Sequence, residues 1–277
     1  MKSAAETGNW KRLLWQRLWR RPIVKKVFYE VLGLLLARRR GMQMLNCGFQ
    51  EAGFPALPLD AEAGLERLGF QLYHRLAGSA GLGGARVFEV GCGRGGGARY
   101  LAEHFHPLSY TATDSSRSFV LANRLRRHPA QLDFRFARAT RLPFGPSSRD
   151  IGIAVEAIHP LPDKPAFLSE AARVLRPGGK LLVADFFYTR DDSPNAIAGF
   201  RRAIAGSPFR AEVDEDWTPQ ATAALEADSP RRLAEIDRLP RIFHALALSF
   251  ACTSASPLYH QLHDGRAVYA HFELSRK

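Results

Sequence analysis

The chain has 277 residues, an apolar share of 46% and a formal net charge of +12. The length allows one α/β domain with an elaborated region, or at most two domains, and the composition suffices for a sizeable core. Residues 1–40 carry eleven Lys and Arg against Glu6 and Glu30, a net +9 that leaves only +3 for the other 237 residues, so a uniformly basic body is excluded.

The basic arm comes first in the chain. Trp10, Leu13, Leu14 and Leu18 recur at helical spacing with Lys11, Arg12, Arg17 and Arg20 between them, and Pro22 separates this helix from a second one through Val24, Val27, Phe28, Val31 and Leu35. Its longest apolar run, Val31 to Ala37, is too short to span a bilayer, and Arg38–Arg40 stand where a cleavage site would need small residues. Neither export nor a membrane span is expected. Two roles stay open: packing on the body or on a partner subunit of a homo-oligomer, or lying as an amphipathic helix on an anionic membrane surface. The body carries no recognisable nucleic-acid-binding module, so nucleic acid is not an expected partner. Cys47, Cys92 and Cys252 lie far apart and form no metal-ligand or disulfide pattern, which fits a reducing cytoplasm. A peripheral place on the inner membrane surface is the alternative attached to the arm.

Beyond a Pro-containing loop at Gly53–Leu59, Leu65–Leu76 reads as a helix. From residue 86 short apolar runs alternate with helical patterns. Strands are expected at Arg86–Val90, Tyr110–Asp114, Asp133–Ala137, Ile151–Glu156 and Lys180–Phe186, with helices such as Ala98–Phe105 and Pro165–Leu175 between them. This rhythm predicts a parallel sheet with right-handed crossovers. Residues 188–243 are polar and helix-compatible, and read as a helical lid or substrate insertion. A strand is expected at Leu248–Ser254. Asp264-Gly265 then reads as a hairpin turn into a strand where Val268, Ala270 and Phe272 alternate with Tyr269, His271 and Glu273.

The stretch VFEVGCGRGGG, Val87 to Gly97, carries the chemistry. Gly91-x-Gly93-x-x-Gly96 fits a dinucleotide fingerprint, and Asp114 lies at the distance expected of a ribose ligand. Glu89, two residues before the first glycine, argues against a pyrophosphate, which it would repel, and for the amino group of a methionine moiety. The run RVLRPGGKLLVADF, Arg173 to Phe186, adds a helix end, a Pro-Gly-Gly turn and a fifth strand. These features favour S-adenosylmethionine over NAD.

The segments EVGCGRGG, YTATD, RLPF and RVLRPGG stand in an order and spacing that resembles the class I S-adenosylmethionine-dependent methyltransferases. LNCGF at Leu45–Phe49, LYHR at Leu72–Arg75, GGGARYL…HPLSYT at Gly95–Thr111 and VEAIH at Val155–His159 make the chain most similar to the phthiotriol-type members of lipid and polyketide biosynthesis. The resemblance implies a Rossmann-like fold. Its sheet has seven mostly parallel strands with an antiparallel C-terminal strand, plus a helical arm (1–45) and the helical insertion of a methyltransferase domain spanning 46–277. It implies that Glu89, Gly91 and Gly93 line the methionine and sugar part of the cofactor, that Cys92, Asn46 and Phe49 are further cofactor contacts, that Asp114 takes both ribose hydroxyls, and that Ser115 flanks the adenine. Where the family has an acid-small pair for the adenine, this chain has Arg138-Ala139. Arginine has no acceptor, so only stacking by Arg138 and the Ala139 N–H are available.

His159, just past the fourth strand, faces the carboxyl edge of the sheet and is the candidate general base, with Glu156 as cofactor contact or orienting group. Phe28, Tyr29, Phe49 and His159 are the candidate substrate walls. No metal site is expected. The expected activity is O-methylation of a hydroxyl on a lipophilic small molecule. C-methylation, or a methyltransferase-like binding protein without catalysis, are the alternatives.

Overall fold

A computed structural model describes residues 30, 42–78, 80–239, 241, 244, 247–248 and 251–277. The basic arm, apart from Glu30, and the candidate wall residues Phe28 and Tyr29 lie outside the described residues. Elements follow in the order α1 (Ala61–Gly64), α2 (Arg67–Ala77), β1 (Arg86–Val90), α3 (Gly96–His104), β2 (Ser109–Asp114), α4 (Arg117–Arg124), β3 (Leu132–Phe136), β4 (Arg149–Val155), α5 (Lys164–Val174), β5 (Leu175–Tyr188), α6 (Ile197–Ala205), β6 (Phe209–Asp216), α7 (Thr218–Asp237), α8 (Pro257–His263) and β7 (Ala267–Arg276).

The strands form one seven-stranded sheet in the order β3-β2-β1-β4-β5-β7-β6. β1 pairs in parallel with β2 and β4, β2 with β3, and β4 with β5, whereas β7 runs antiparallel to both β5 and β6. Inner strands are covered on both faces, which is why they read as continuous apolar runs. One core joins Val87, Ile151, Ile153 and Val155 to α2, α3 and α7; the other joins Phe88, Val90, Ala154 and Val183 to α5 and α6. The expected fold class stands. None of the described helices is long and apolar enough to cross a membrane.

Two expectations fail. The 188–243 segment is not simply helical: between α6 and α7 it supplies β6, the edge strand paired with β7. Most of β6 is exposed and its sequence, FRAEVDED, is polar, so no apolar period marks it; the free edge of β7 organises it. Leu248–Ser254 is not a strand either. Leu248 is helical and residues 251–254 are irregular. Here α7 satisfies the backbone in place of a neighbouring strand: Arg232 donates to the Ala251 carbonyl at 3.0 Å, and the Ser254 N–H donates to Ser229 Oγ at 2.6 Å. Ser256 then caps α8, with Pro257 in its first turn, so Asp264-Gly265 joins a helix to β7.

Candidate functional site

The site is built at the carboxyl edge of the sheet, where β1, β2, β4 and β5 hand over to their loops. After β1 the chain turns through Gly91, at φ 73°, where a Cβ would stand 2.5 Å from that of Ala157 in the loop after β4. Glycine therefore lets these two loops touch. The Gly91 and Cys92 N–H groups donate to the Thr113 carbonyl at 2.8 and 3.0 Å, which ties the turn to the end of β2. At Gly93, φ 49°, a Cβ would meet only Leu45 Cδ1, at 3.7 Å.

Asp114 closes β2. Its Oδ2 accepts from the Gly93 N–H at 2.9 Å and its Oδ1 from the Ser116 N–H at 2.8 Å. The carboxylate is half-buried, and burial pushes its pKa up against these two bonds. Each oxygen keeps a second lone pair for a ligand. Ser115 beside it is exposed, as is Arg138, while Ala139 is at the edge of burial. Glu30, the described residue of the arm, reaches this corner. Its two carboxylate oxygens accept from the Arg117 and Ser118 N–H groups at 2.8 and 2.9 Å, at the start of α4.

Glu89 differs from the expectation. It is fully buried, and its two oxygens accept from Tyr73 Oη at 2.7 Å and Tyr110 Oη at 3.0 Å. Burial, opposed by those bonds, pushes it up to about 7. It has no exposed surface, and its carboxylate is held by the two phenols. Phe49 also differs: it is 1% exposed and packs edge-on against Trp217 and Phe54, so it belongs to the core and not to a cavity wall. Cys92 is buried as well. Asn46 donates from Nδ2 to the Gly69 carbonyl at 3.3 Å, while its buried Oδ1 has no partner.

The loop after β4 holds the acid–base groups. Glu156 sits at φ 48°, a left-handed conformation that a non-glycine residue holds only when its surroundings enforce it. Its Oε1 accepts from the Cys47 N–H at 2.6 Å and from Tyr269 Oη at 2.9 Å. Burial pushes this carboxyl up. His159 places Nδ1 2.9 Å from Asp185 Oδ1, and its ring lies 4.2 Å from that of Phe186.

Asp185 escapes sequence reasoning because it sits inside the apolar run of β5 and has no motif partner nearby. It is wholly buried, and its carboxylate accepts from the Ile158, His159 and Phe186 N–H groups at 2.7, 2.9 and 2.8 Å. A carboxylate in that position accepts only, so Nδ1 carries the proton and Nε2 is left as the imidazole acceptor. Lys164, nearly buried at the start of α5, donates to the Leu161 and Pro194 carbonyls at 3.3 and 3.1 Å. It thereby joins the loops that carry His159 and follow β5.

Residues 88–183 match the methyltransferase domain family model. Over 273 residues the chain is 30% identical to the phthiotriol/phenolphthiotriol dimycocerosates methyltransferase of Mycobacterium leprae, covering 98% of this chain and 96% of that protein. The chain belongs to this methyltransferase family. It is an S-adenosylmethionine-dependent enzyme. A fatty-acid O-methyltransferase of Mycolicibacterium smegmatis is 41% identical over 166 residues, 60% of this chain and 59% of that one. The methyltransferase shares its fold with the geranyl diphosphate C-methyltransferase of Streptomyces coelicolor, at TM-score 0.66, 17% identity and coverage of 90% and 98%. It shares it equally with the [4+2]-cyclase SpnF, at TM-score 0.67, 19% identity and coverage of 91% and 94%.

Proposed function

We propose that this methyltransferase O-methylates a hydroxyl of a lipophilic metabolite of lipid or polyketide type, with His159 as general base. The His159–Asp185 pair carries the reading: a buried carboxylate fixes the imidazole through Nδ1 and leaves Nε2 free to accept a proton. A hydroxyl acceptor, whose proton must leave, is served by such a base. The printed names of the relatives, which include a fatty-acid O-methyltransferase and several phthiotriol methyltransferases, support the acceptor class.

The residues present fit the cofactor. Asp114 has lone pairs to offer the two ribose hydroxyls, and charge-assisted bonds suit that task. The turn from Gly91 to Gly93 leaves backbone surface beside Asp114, and Ser115 with Arg138 and Ala139 flanks the adenine side. The orphaned Asn46 Oδ1 and the half-buried Glu156 are the acceptors available to the methionine ammonium, in place of Glu89. S-adenosylmethionine supplies an electrophilic methyl group on a sulfonium. The protein aligns the acceptor hydroxyl with it, a contribution worth much of the acceleration of such a displacement. With that group bound, His159 Nε2 would take the hydroxyl proton as the methyl passes from sulfur to oxygen, and Asp185 would steady the resulting imidazolium.

Incubation with methyl-labelled cofactor and two acceptor classes, a long-chain alcohol and a long-chain fatty acid, tests the reading. Label in an alkali-stable methyl ether of the alcohol supports it; label only in the alkali-labile methyl ester of the fatty acid, or in neither acceptor, overturns it. For the arm we propose contact with an anionic membrane, because each Lys or Arg near such a surface adds about 1 kcal/mol. Co-sedimentation with anionic vesicles at low salt should be lost on deleting residues 1–29, a cut that spares Glu30; an intact protein left in the supernatant makes the arm a lid or subunit contact alone.

A further inference from the structure

Arg232 stands in α7, 186 positions beyond Asn46 in the chain, and no motif marks it. It is nearly buried, and so is its partner Asp228, one turn earlier in the helix. Each of the three guanidinium nitrogens has its own acceptor. Nε donates to Asp228 Oδ2 at 2.8 Å, Nη1 to the Ala251 carbonyl at 3.0 Å and Nη2 to the Asn46 carbonyl at 2.8 Å. Asp228 has a second cation as well, because its two oxygens accept from Nε and Nη2 of Arg231, both at 2.6 Å. What Arg232 adds to that pair is a planar fork that reaches two other segments of the chain.

One of those segments runs past the glycine turn. The Gln43 and Met44 N–H groups donate to the two oxygens of Glu66, both at 2.8 Å, and the Phe49 N–H donates to the Leu68 carbonyl at 3.0 Å. Residues 43–49 are therefore strapped at both ends to α2 and its cap residue. Between these ties Arg232 holds the Asn46 carbonyl. Asn46 is 5% exposed, so loss of that donor strands a buried acceptor.

The residues on either side of Asn46 face the site. Leu45 Cδ1 is the atom that a Cβ on Gly93 would meet, at 3.7 Å, and Leu45 is 37% exposed. The Cys47 N–H donates to Glu156 Oε1 at 2.6 Å. Further back, a Cβ at Gly96 would stand 2.7 Å from the Gln43 carbonyl oxygen and from Met44 Sδ, so the strap lies directly on the turn. A shift at the Asn46 carbonyl moves an exposed leucine beside Gly93 and a hydrogen bond to the carboxylate after β4.

We propose that Arg232 is a positioning residue of the cofactor site: from α7 it fixes the strap, and with it the places of Leu45 beside Gly93 and of the Cys47 N–H on Glu156. The proposal rests on placing the cofactor at the glycine turn. All three nitrogens of Arg232 are committed to protein acceptors, so it acts through the strap. Ser229, in the same turn of α7, provides a control. Its Oγ donates to the Leu225 carbonyl and accepts from the Ser254 N–H, both at 2.6 Å. Ser229→Ala loosens the 251–254 segment, which Arg232 also holds, and leaves every bond of the strap in place.

Calorimetric titration with S-adenosylhomocysteine tests the role, with urea unfolding as the measure of stability. Arg232→Met should weaken binding by about tenfold, within the range for residues that couple to a ligand without touching it. Arg232→Lys keeps the charge beside Asp228 but has one nitrogen in place of three, and should recover part of the affinity, to a loss of about threefold. Ser229→Ala should lose stability and bind as the wild type does. If Arg232→Met does not fold, Arg232→Lys carries the test. Wild-type affinity in the Arg232 variants overturns the proposal. So does a loss of affinity in Ser229→Ala that keeps step with its stability, because Arg232 would then be structural only. Amide exchange of the wild-type protein needs no variant: S-adenosylhomocysteine should slow exchange at Met44 and Cys47, and a strap that exchanges alike with and without it overturns the proposal too. A wild-type protein that binds no S-adenosylhomocysteine fails the cofactor reading, and the positioning role with it; tight binding by wild type and Arg232 variants alike fails the positioning role alone.

Discussion

Asp114 on β2 and Asp185 on β5 both gather backbone N–H groups at the carboxyl edge of one sheet, but they face opposite fates. Asp114 takes two such bonds and stays half-open, so its remaining lone pairs stay accessible. Asp185 takes three, has no exposed surface, and spends its last contact on His159. In the proposed mechanism the cofactor half of the site presents a carboxylate directly, and the acceptor half buries its carboxylate and presents an imidazole. On that reading the same residue type at equivalent strand ends serves binding in one case and positioning in the other, and solvent access separates them.

The sharpest way to break this comparison is His159→Ala. Turnover on a hydroxyl acceptor should fall by about 10²-fold or more, the usual contribution of a general base, while calorimetric affinity for the cofactor stays the same. Near-normal turnover would leave the acceptor half with alignment alone.

Asp185→Asn comes next. The neutral amide no longer fixes the Nδ1 proton, and it turns an NH₂ toward some of the three backbone donors. Turnover should fall by roughly 30-fold, less than on loss of the base itself. The pH–rate profile should shift as well, which a purely structural role would not produce. Urea unfolding should show a cost of about 1–3 kcal/mol from unpaired N–H groups.

Asp114→Ala should weaken cofactor binding by about tenfold, some 1.4 kcal/mol, and leave turnover at saturating cofactor nearly intact. If this variant lowers turnover and spares affinity, the division between the two halves is wrong.

The smallest effect concerns Glu89, which lies beneath both halves. Its carboxyl is raised from an ordinary 4.5 to about 7 in the folded chain, so between those values the folded state holds more protons than the unfolded one. The stability from the protonated form is fully present below pH 4.5 and is lost as pH rises through 7. Glu89→Gln keeps a neutral side chain throughout. Its unfolding free energy should gain on the order of 1 kcal/mol over wild type in going from pH 5 to pH 8, with turnover little changed. Identical pH dependence in both proteins would mean that Glu89 is ionised in the fold.

The sequence by itself determined the five parallel strands, the glycine turn and the place of Asp114. Each is encoded locally, by a continuous apolar run buried on both sheet faces or by glycines where backbones approach. His159 was legible for the same reason, as a titratable residue just past a strand end. Only the tertiary structure decided what each carboxylate does. Glu89 reads as a ligand acid from its place before Gly91, but Tyr73 and Tyr110 arrive from other elements and close it off. Phe49 reads as a wall until Trp217 packs on it. Asp185 looks like an accident in an apolar strand until the loop after β4 folds over it, and Asn46 and Ala251 look unrelated until Arg232 bridges their carbonyls. β6 has no apolar period because its partner is the edge of β7 and much of its surface meets water. Burial and long-range hydrogen bonding are properties of the assembled chain, and no local pattern carries them.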